Sequence, residues 1–122
     1  ITQDKQPPEK PSHNETDLLF LNKLDNIIAI SYHDSGFSVA TLIVEIGITE
    51  RQLQRKFKRL FQQKPATYIR DYRLQKAKEL LMNGKPISVI SDNVGFNSQS
   101  YFSQSFKTAF GQSPKDFILK HS

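Results

Sequence analysis

The chain has 122 residues, a net charge of +5 and 37% apolar residues, enough to bury one core or two small ones. It contains no cysteine, which excludes disulfide frameworks, thiolate zinc sites and cysteine nucleophiles. No apolar run is long enough to span a bilayer and no signal peptide is visible, so a soluble, cytoplasmic protein is expected. The first residue is Ile1, not Met, which suggests a piece of a longer protein.

The positive charge is concentrated in the middle of the sequence. Residues 49–85 hold eleven Lys or Arg against three Asp or Glu, a balance of +8. The balance is −4 over residues 1–48 and +1 over residues 86–122. A compact segment of this charge attracts a polyanion, because contacts with phosphates release condensed counterions. A solvated charged face is the commoner outcome, so charge alone leaves the two interpretations about even.

Composition divides the chain into a tail and a helical domain. Residues 1–16 contain three prolines and no aliphatic residue after Ile1, which is typical of a linker or tail. In residues 17–122 the apolar positions recur at helical spacing and never alternate as in a strand. The sequence therefore predicts a linker followed by an all-α domain.

The first predicted helix runs from about Asp17 to Tyr32, with Thr16 as its N-cap. One apolar stripe faces the core. The stripe consists of Leu18, Leu21, Leu24, Ile27, Ile28 and Tyr32.

Two shorter helices with a glycine between them follow. The first starts after Ser38 and ends at Gly47, and the second starts at Thr49, with Gln52 at capping-box spacing. The inward face of the second consists of Leu53, Phe57, Leu60 and Phe61. This arrangement is typical of a helix-turn-helix unit, whose turn carries a glycine because it needs a positive φ.

The same pattern occurs twice. Pro86–Gly95 matches Ser38–Gly47 at an offset of 48, and Phe106–Ile118 matches Phe57–Ile69 at an offset of 49. Each copy ends in the same Pro-x-x-aromatic helix start. Any helical hairpin can imitate one unit, whereas two units in register are a specific signal.

We therefore predict helix-turn-helix units at about residues 38–62 and 86–110, separated by a long helix at about residues 65–83. Pro65 fits the first turn of that helix, where a missing N–H costs nothing. The Asn83-Gly84 pair ends it.

A recognition helix buries one stripe and presents the other to the major groove. In the first unit the outward residues are Glu50, Arg51, Gln52, Gln54, Arg55 and Lys58. Arg can hold guanine and Gln can hold adenine bidentately, so DNA binding is the favoured interpretation for Arg51, Gln54 and Arg55 over simple exposure. Solvation and phosphate contact explain Lys56, Arg59 and Lys64 equally well.

The outward face of the second unit is polar and nearly uncharged. It consists of Asn97, Ser98, Gln99, Ser100, Ser103, Gln104 and Lys107. Gln99 and Gln104 are the best candidates for base contacts, while Ser98 and Ser100 suit a helix cap at least as well as a phosphate. The first unit is therefore expected to supply most of the electrostatic affinity.

Residues 17–118, with RDYRLQKAKELL followed by ISVISDNVGFNSQSYFSQSFKTAFGQSPKDFI, resemble the DNA-binding domain of the AraC/XylS family of bacterial regulators. The resemblance implies seven helices, with two subdomains joined by a linker helix at about Pro65–Met82. It implies recognition helices in successive major grooves, about 34 Å apart. The base-reading positions that it implies are Arg51, Gln54, Arg55, Gln99, Ser100, Ser103 and Gln104.

Several positions depart from the family pattern. Gln104 stands where Arg is often found. Ile43 stands where Ala is usual, and its bulk is expected to push the two helices of the first unit apart, whereas Ser91 is small enough at the equivalent place. Lys64 replaces the usual Ser or Thr cap before a proline, while Ser113 keeps it.

The resemblance also implies partners beyond double-stranded DNA. We expect RNA polymerase as a partner, activation as the outcome, and an upstream sensing or two-component receiver domain. The fragment itself is expected to be a monomer without a cofactor.

An enzyme is not expected, because the three histidines are scattered and no phosphate loop is present. The remaining alternative is a helical protein-interaction module with only non-specific DNA affinity. Salt and sequence dependence of binding distinguish it from a specific DNA-binding domain.

Overall fold

The computed structural model describes residues 15–121, whose regular elements are all α-helices. They are α1 (Glu15–Ser31), α2 (Val39–Ile46), α3 (Glu50–Phe61), α4 (Pro65–Leu81), α5 (Ile87–Asn93), α6 (Gln99–Phe110) and α7 (Pro114–His121). This confirms the predicted all-α, seven-helix fold. Within the described range, none of the helices has the length and apolar character needed to cross a bilayer. The predicted linker lies almost wholly outside the described residues.

The helices enclose two hydrophobic cores, and α4 contributes to both. Helices α1 to α3 bury one cluster, around Leu24, Leu53 and Phe57, to which α4 adds Ile69. The second cluster contains Ile90, Phe102 and Phe106, to which α4 adds Leu74, Ala77 and Leu81. The linker helix is thus a shared wall between the two helix-turn-helix units.

A polar junction locks the two units together beside this wall. The guanidinium of Arg73 donates hydrogen bonds to the carbonyl oxygens of Tyr32 (2.9 Å), Asp34 (3.0 Å) and Phe37 (3.0 Å). Burial lowers the pKa of Arg73. Gly95, in the second turn, has φ +91°, and a Cβ there would overlap the Tyr32 carbonyl oxygen. The second unit therefore docks directly on the loop between α1 and α2.

Two of the predicted helix starts have the expected side-chain cap, and a third has the expected proline. Thr49 Oγ1 accepts from the backbone N–H of Gln52 (3.1 Å), and Gln52 Oε1 accepts from that of Thr49 (2.9 Å), which confirms the capping box. Ser113 Oγ accepts from the Asp116 N–H (3.1 Å). Pro65 is the first residue of α4, and Lys64 before it makes no side-chain cap.

The prediction for the first helix was wrong in two details. The helix begins at Glu15, so Thr16 lies within the first turn and is not the N-cap. Leu18 is 50% exposed, because the buried stripe of α1 runs through Asp17, Phe20, Leu24 and Ile28. A stripe that includes Asp17 places Leu18 about 100° away from it around the helix.

Candidate nucleic-acid interface

Helix α3 presents the predicted basic and amide residues to solvent. Leu53 and Phe57 are fully buried, and Leu60 and Phe61 are half-buried against the same core. The outward residues Arg51, Gln52, Gln54, Arg55 and Lys58 are all exposed. The amphipathic reading of this helix is therefore confirmed.

One stripe of α3 borders a concave surface. Glu50, Gln54 and Lys58 follow one another at intervals of four residues and line it together with the start of α2 and residues 62–66. The side chain of Gln54 donates to Glu50 Oε2 at 3.2 Å. Gln52 Oε1 is engaged in the capping box, so the side-chain NH₂ of this exposed residue is the group that this bond leaves for a ligand.

Two basic residues of α3 have partners within the protein. Arg59 forms two hydrogen bonds with Asp17, of 2.9 and 2.8 Å, and this interaction raises the pKa of Arg59. Lys56 Nζ lies 5.2 Å from the centroid of the Phe20 ring, in a cation–π contact. The side chain of Arg59 nevertheless stays 42% exposed, so its ion pair with Asp17 is a structural role that the sequence did not predict.

Helix α6 is amphipathic like α3, but its outward face carries fewer charged residues. Phe102 and Phe106 are fully buried. Of the outward residues, Gln99, Ser100, Gln104 and Lys107 are exposed and Ser103 is half-buried. Ser98 Oγ accepts a 3.1 Å hydrogen bond from the Tyr101 N–H, so Ser98 is the N-cap of α6.

The sequence reasoning missed Arg70. With Ala66, Asn97 and Tyr101 it lines a second concave surface, between α4 and the start of α6. Its Nε is buried and lacks a hydrogen-bond partner among residues 15–121, while its side chain remains 40% exposed. Asp71 Oδ1 lies 3.5 Å from its Nη2. Nothing in the local pattern of α4 distinguishes this arginine from its neighbours.

The two concave surfaces adjoin. Ala66 lines both of them, so the first turn of α4 lies between the outward stripe of α3 and the start of α6. A ligand that contacts both α3 and α6 would pass over this turn. The described residues contain no group of three or more His, Cys, Asp or Glu placed to hold a metal ion.

Comparison with known proteins identifies the architecture. The sequence model of the helix-turn-helix domain family matches residues 42–119. The arabinose operon regulatory protein of Escherichia coli is 33% identical over 85 residues, which are 69% of this chain and 29% of that protein. The chain belongs to the AraC/XylS family. Its domain is therefore a DNA-binding domain of a transcription regulator.

This AraC/XylS domain is also similar to parts of a histidine kinase and of a two-component response regulator. Histidine kinase P4 of Formosa agariphila is 30% identical over 116 residues, 94% of this chain but 8% of that protein. The C-terminal domain of the response regulator yesN from Fusobacterium nucleatum has a TM-score of 0.77 and 30% identity, with 82% of this chain and 98% of that domain covered. The chain thus spans a small part of the curated relatives it matches.

Proposed function

We propose that this domain binds one face of duplex DNA, with α3 and α6 in successive major grooves. The observation that carries the proposal is that α3 and α6 pack against the same helix, α4, while their outward faces border adjoining surfaces that share Ala66. One face of a straight duplex presents the major groove once every helical turn, so two successive major-groove segments lie about 34 Å apart. Two recognition helices packed against the same helix, α4, suit the spacing of successive major-groove segments.

The first unit is proposed to read bases through Arg51, Gln54 and Arg55. All three are exposed in the first half of α3, the part of a recognition helix that approaches base edges. Arg can donate two hydrogen bonds to guanine O6 and N7, and such a pair discriminates by about 1–3 kcal/mol. Lys58, one turn further on, is assigned to a phosphate.

The second unit is proposed to depend on hydrogen bonds more than on charge. Gln99 and Gln104 are its base-reading residues, with Ser100 and Ser103 beside them and Lys107 on the backbone. Ser98 Oγ accepts its capping bond, which leaves the hydroxyl hydrogen free to donate to a phosphate. Since one cation serves this face, its binding should vary little with salt.

Arg70 is proposed to hold the phosphates that lie between the two half-sites. It stands beside the turn of α4 that separates α3 from α6, and its side chain is 40% exposed there. A phosphate oxygen is a strong acceptor for a guanidinium. Such a contact positions the protein without reading sequence.

For the whole protein, we infer a bacterial regulator in which this domain is the output end, and propose that it activates transcription through contact with RNA polymerase. An upstream regulatory domain of the two-component type is supported by the kinase and response-regulator relatives. A cytoplasmic location and a monomeric state of the isolated domain belong to the same proposal.

The test is selection of the 122-residue chain against random duplex DNA, followed by sequencing. The expected product is two short motifs about one helical turn apart. Arg55→Ala should weaken selection of one motif and Gln104→Ala that of the other, so each variant is the control for the second. A single motif would remove α6 from the proposal, and binding that tracks salt without enrichment would refute specific recognition.

A further inference from the structure

The only acidic residue in α3 lies on its DNA-facing stripe. Glu50 is the first residue of α3, is exposed, and shares its concave surface with Gln54 and Lys58. Its Oε2 accepts the hydrogen bond from Gln54 Nε2 at 3.2 Å. An anion at this place opposes the attraction between the helix and phosphates, so it needs a compensating partner in the specific complex.

We infer that Glu50 is a specificity residue of the first unit and that, with Gln54, it selects cytosine at one position of the first half-site. The inference rests on the proposed function. Gln54 donates an N–H to Glu50, so Gln54 Oε1 and the second carboxylate oxygen of Glu50 are two acceptors that this bond does not use, on two exposed residues. A pair of acceptors fits a base that offers an amino group to the major groove.

The four bases differ in the groups that they present to the major groove, and only some of them can donate a hydrogen bond to Glu50. Guanine offers two acceptors, and thymine offers an acceptor and a methyl group, so neither can donate to a carboxylate. Adenine offers its N6 amino group next to the N7 acceptor, which repels a carboxylate. Cytosine presents its N4 amino group without a neighbouring acceptor and is the base that Glu accepts from.

The carboxylate of Glu50 also disfavours binding to DNA sites that lack cytosine at this position. Where cytosine is absent, the carboxylate of Glu50 loses water on entering the groove and gains no donor in return. Sites with other bases are therefore rejected, and binding to random DNA is weakened. Glu50 thus contributes to the ratio of specific to non-specific affinity rather than to affinity itself.

If Glu50 only stabilised the helix start, its Asp and Gln variants would behave differently from what the inference expects. A carboxylate in the first turn of a helix interacts favourably with the helix dipole, and Asp does so as well as Glu. Asp is shorter by one methylene group, so it keeps the charge at the helix start and withdraws the carboxylate from the base edge. Gln keeps the length and removes the charge, and Gln pairs with adenine.

The experiment repeats the selection with Glu50→Gln, Glu50→Asp and the control Glu79→Gln. Glu79 is an exposed residue of α4 outside both concave surfaces, so its variant makes the same charge change elsewhere. The expected result is a cytosine preference that falls about tenfold at a single position in both Glu50 variants and moves toward adenine in Glu50→Gln. The control should retain the wild-type motif.

The affinity for random duplex is measured alongside. Glu50→Gln should bind it several-fold more tightly than Glu79→Gln does, because only Glu50 faces the phosphates. A first motif that is identical in wild type and both Glu50 variants would overturn the inference and leave the proposed function standing. A wild-type chain that yields no motif would overturn both.

Discussion

The carboxylate of Asp17, in the first turn of α1, accepts two hydrogen bonds from the guanidinium of Arg59, near the end of α3. Asp17 is 1% exposed, whereas the side chain of Arg59 is 42% exposed. Beside this pair the rings of Phe20 and Phe57 meet edge to face, with centroids 6.2 Å apart. Two turns of α1 therefore fix the rotation of α3, and with it the choice of residues that face outward.

Asp17→Asn should lower the free energy of unfolding by about 1–3 kcal/mol, because it removes the charge from two charge-assisted hydrogen bonds with little change in volume. Urea denaturation of the chain measures this. Asp25→Asn is the control, since Asp25 is an exposed carboxylate of the same helix. Equal stability of the two variants would show that the Arg59 pair contributes nothing.

Gly95→Ala should destabilise the domain far more than Gly47→Ala, although both glycines have a positive φ, of +91° and +84°. The left-handed conformation alone costs about 1–2 kcal/mol in either case. The Cβ at residue 95 would also lie 2.8 Å from Arg73 Nε, whereas the Cβ at residue 47 meets nothing within 4 Å. We expect a total of about 3 kcal/mol or more at residue 95, measured by thermal melting. Similar losses at both sites would contradict the described junction.

Gln62→Gly should raise the free energy of unfolding by about 0.5–1 kcal/mol. Gln62 ends α3 with φ +55°, the only positive φ of a non-glycine residue within 15–121, and the matching position after α6 is Gly111. Glycine adopts this conformation without steric strain. Gln75→Gly, on the exposed side of α4, is the matched control and should lower stability by about 1 kcal/mol. A lower free energy of unfolding in Gln62→Gly would contradict the prediction.

Arg70→Gln should weaken binding to every duplex sequence by a similar factor. Removal of one phosphate contact reduces the slope of log affinity against log salt by about 1 and leaves sequence preference unchanged. Titrations at several salt concentrations, with Lys85→Gln as an exposed control beyond the end of α4, provide the measurement. A changed motif would instead make Arg70 a base-reading residue.

The fold was largely predictable because its signals are local. The apolar spacing around Leu53 and Phe57, the glycines at the turns and the capping box at Thr49 all act within one or two helical turns. The outward positions of α3 and α6 follow from the same periodicity. Their repetition at an offset of 48 or 49 residues made the two units recognisable.

The pairs that orient the elements were not predictable by the same means. Arg59 and Arg55 occupy one helix and have the same chemistry, yet only Arg59 finds a carboxylate 42 residues away. Arg73 and Gly95 likewise owe their roles to carbonyl oxygens that tertiary packing brings within reach. Such partners leave no periodic trace in the sequence, which is why Thr16 and Leu18 were also misassigned.

Tyr32 packs against both hydrophobic cores, and its carbonyl oxygen is the point where Arg73 and the turn at Gly95 converge. Neither unit can tilt without disturbing the other. In the proposed complex, binding of α3 in one groove therefore gives α6 a high effective concentration at a single position on the duplex. A flexible tether would tolerate extra base pairs between the half-sites, whereas this junction turns each inserted pair into a misalignment.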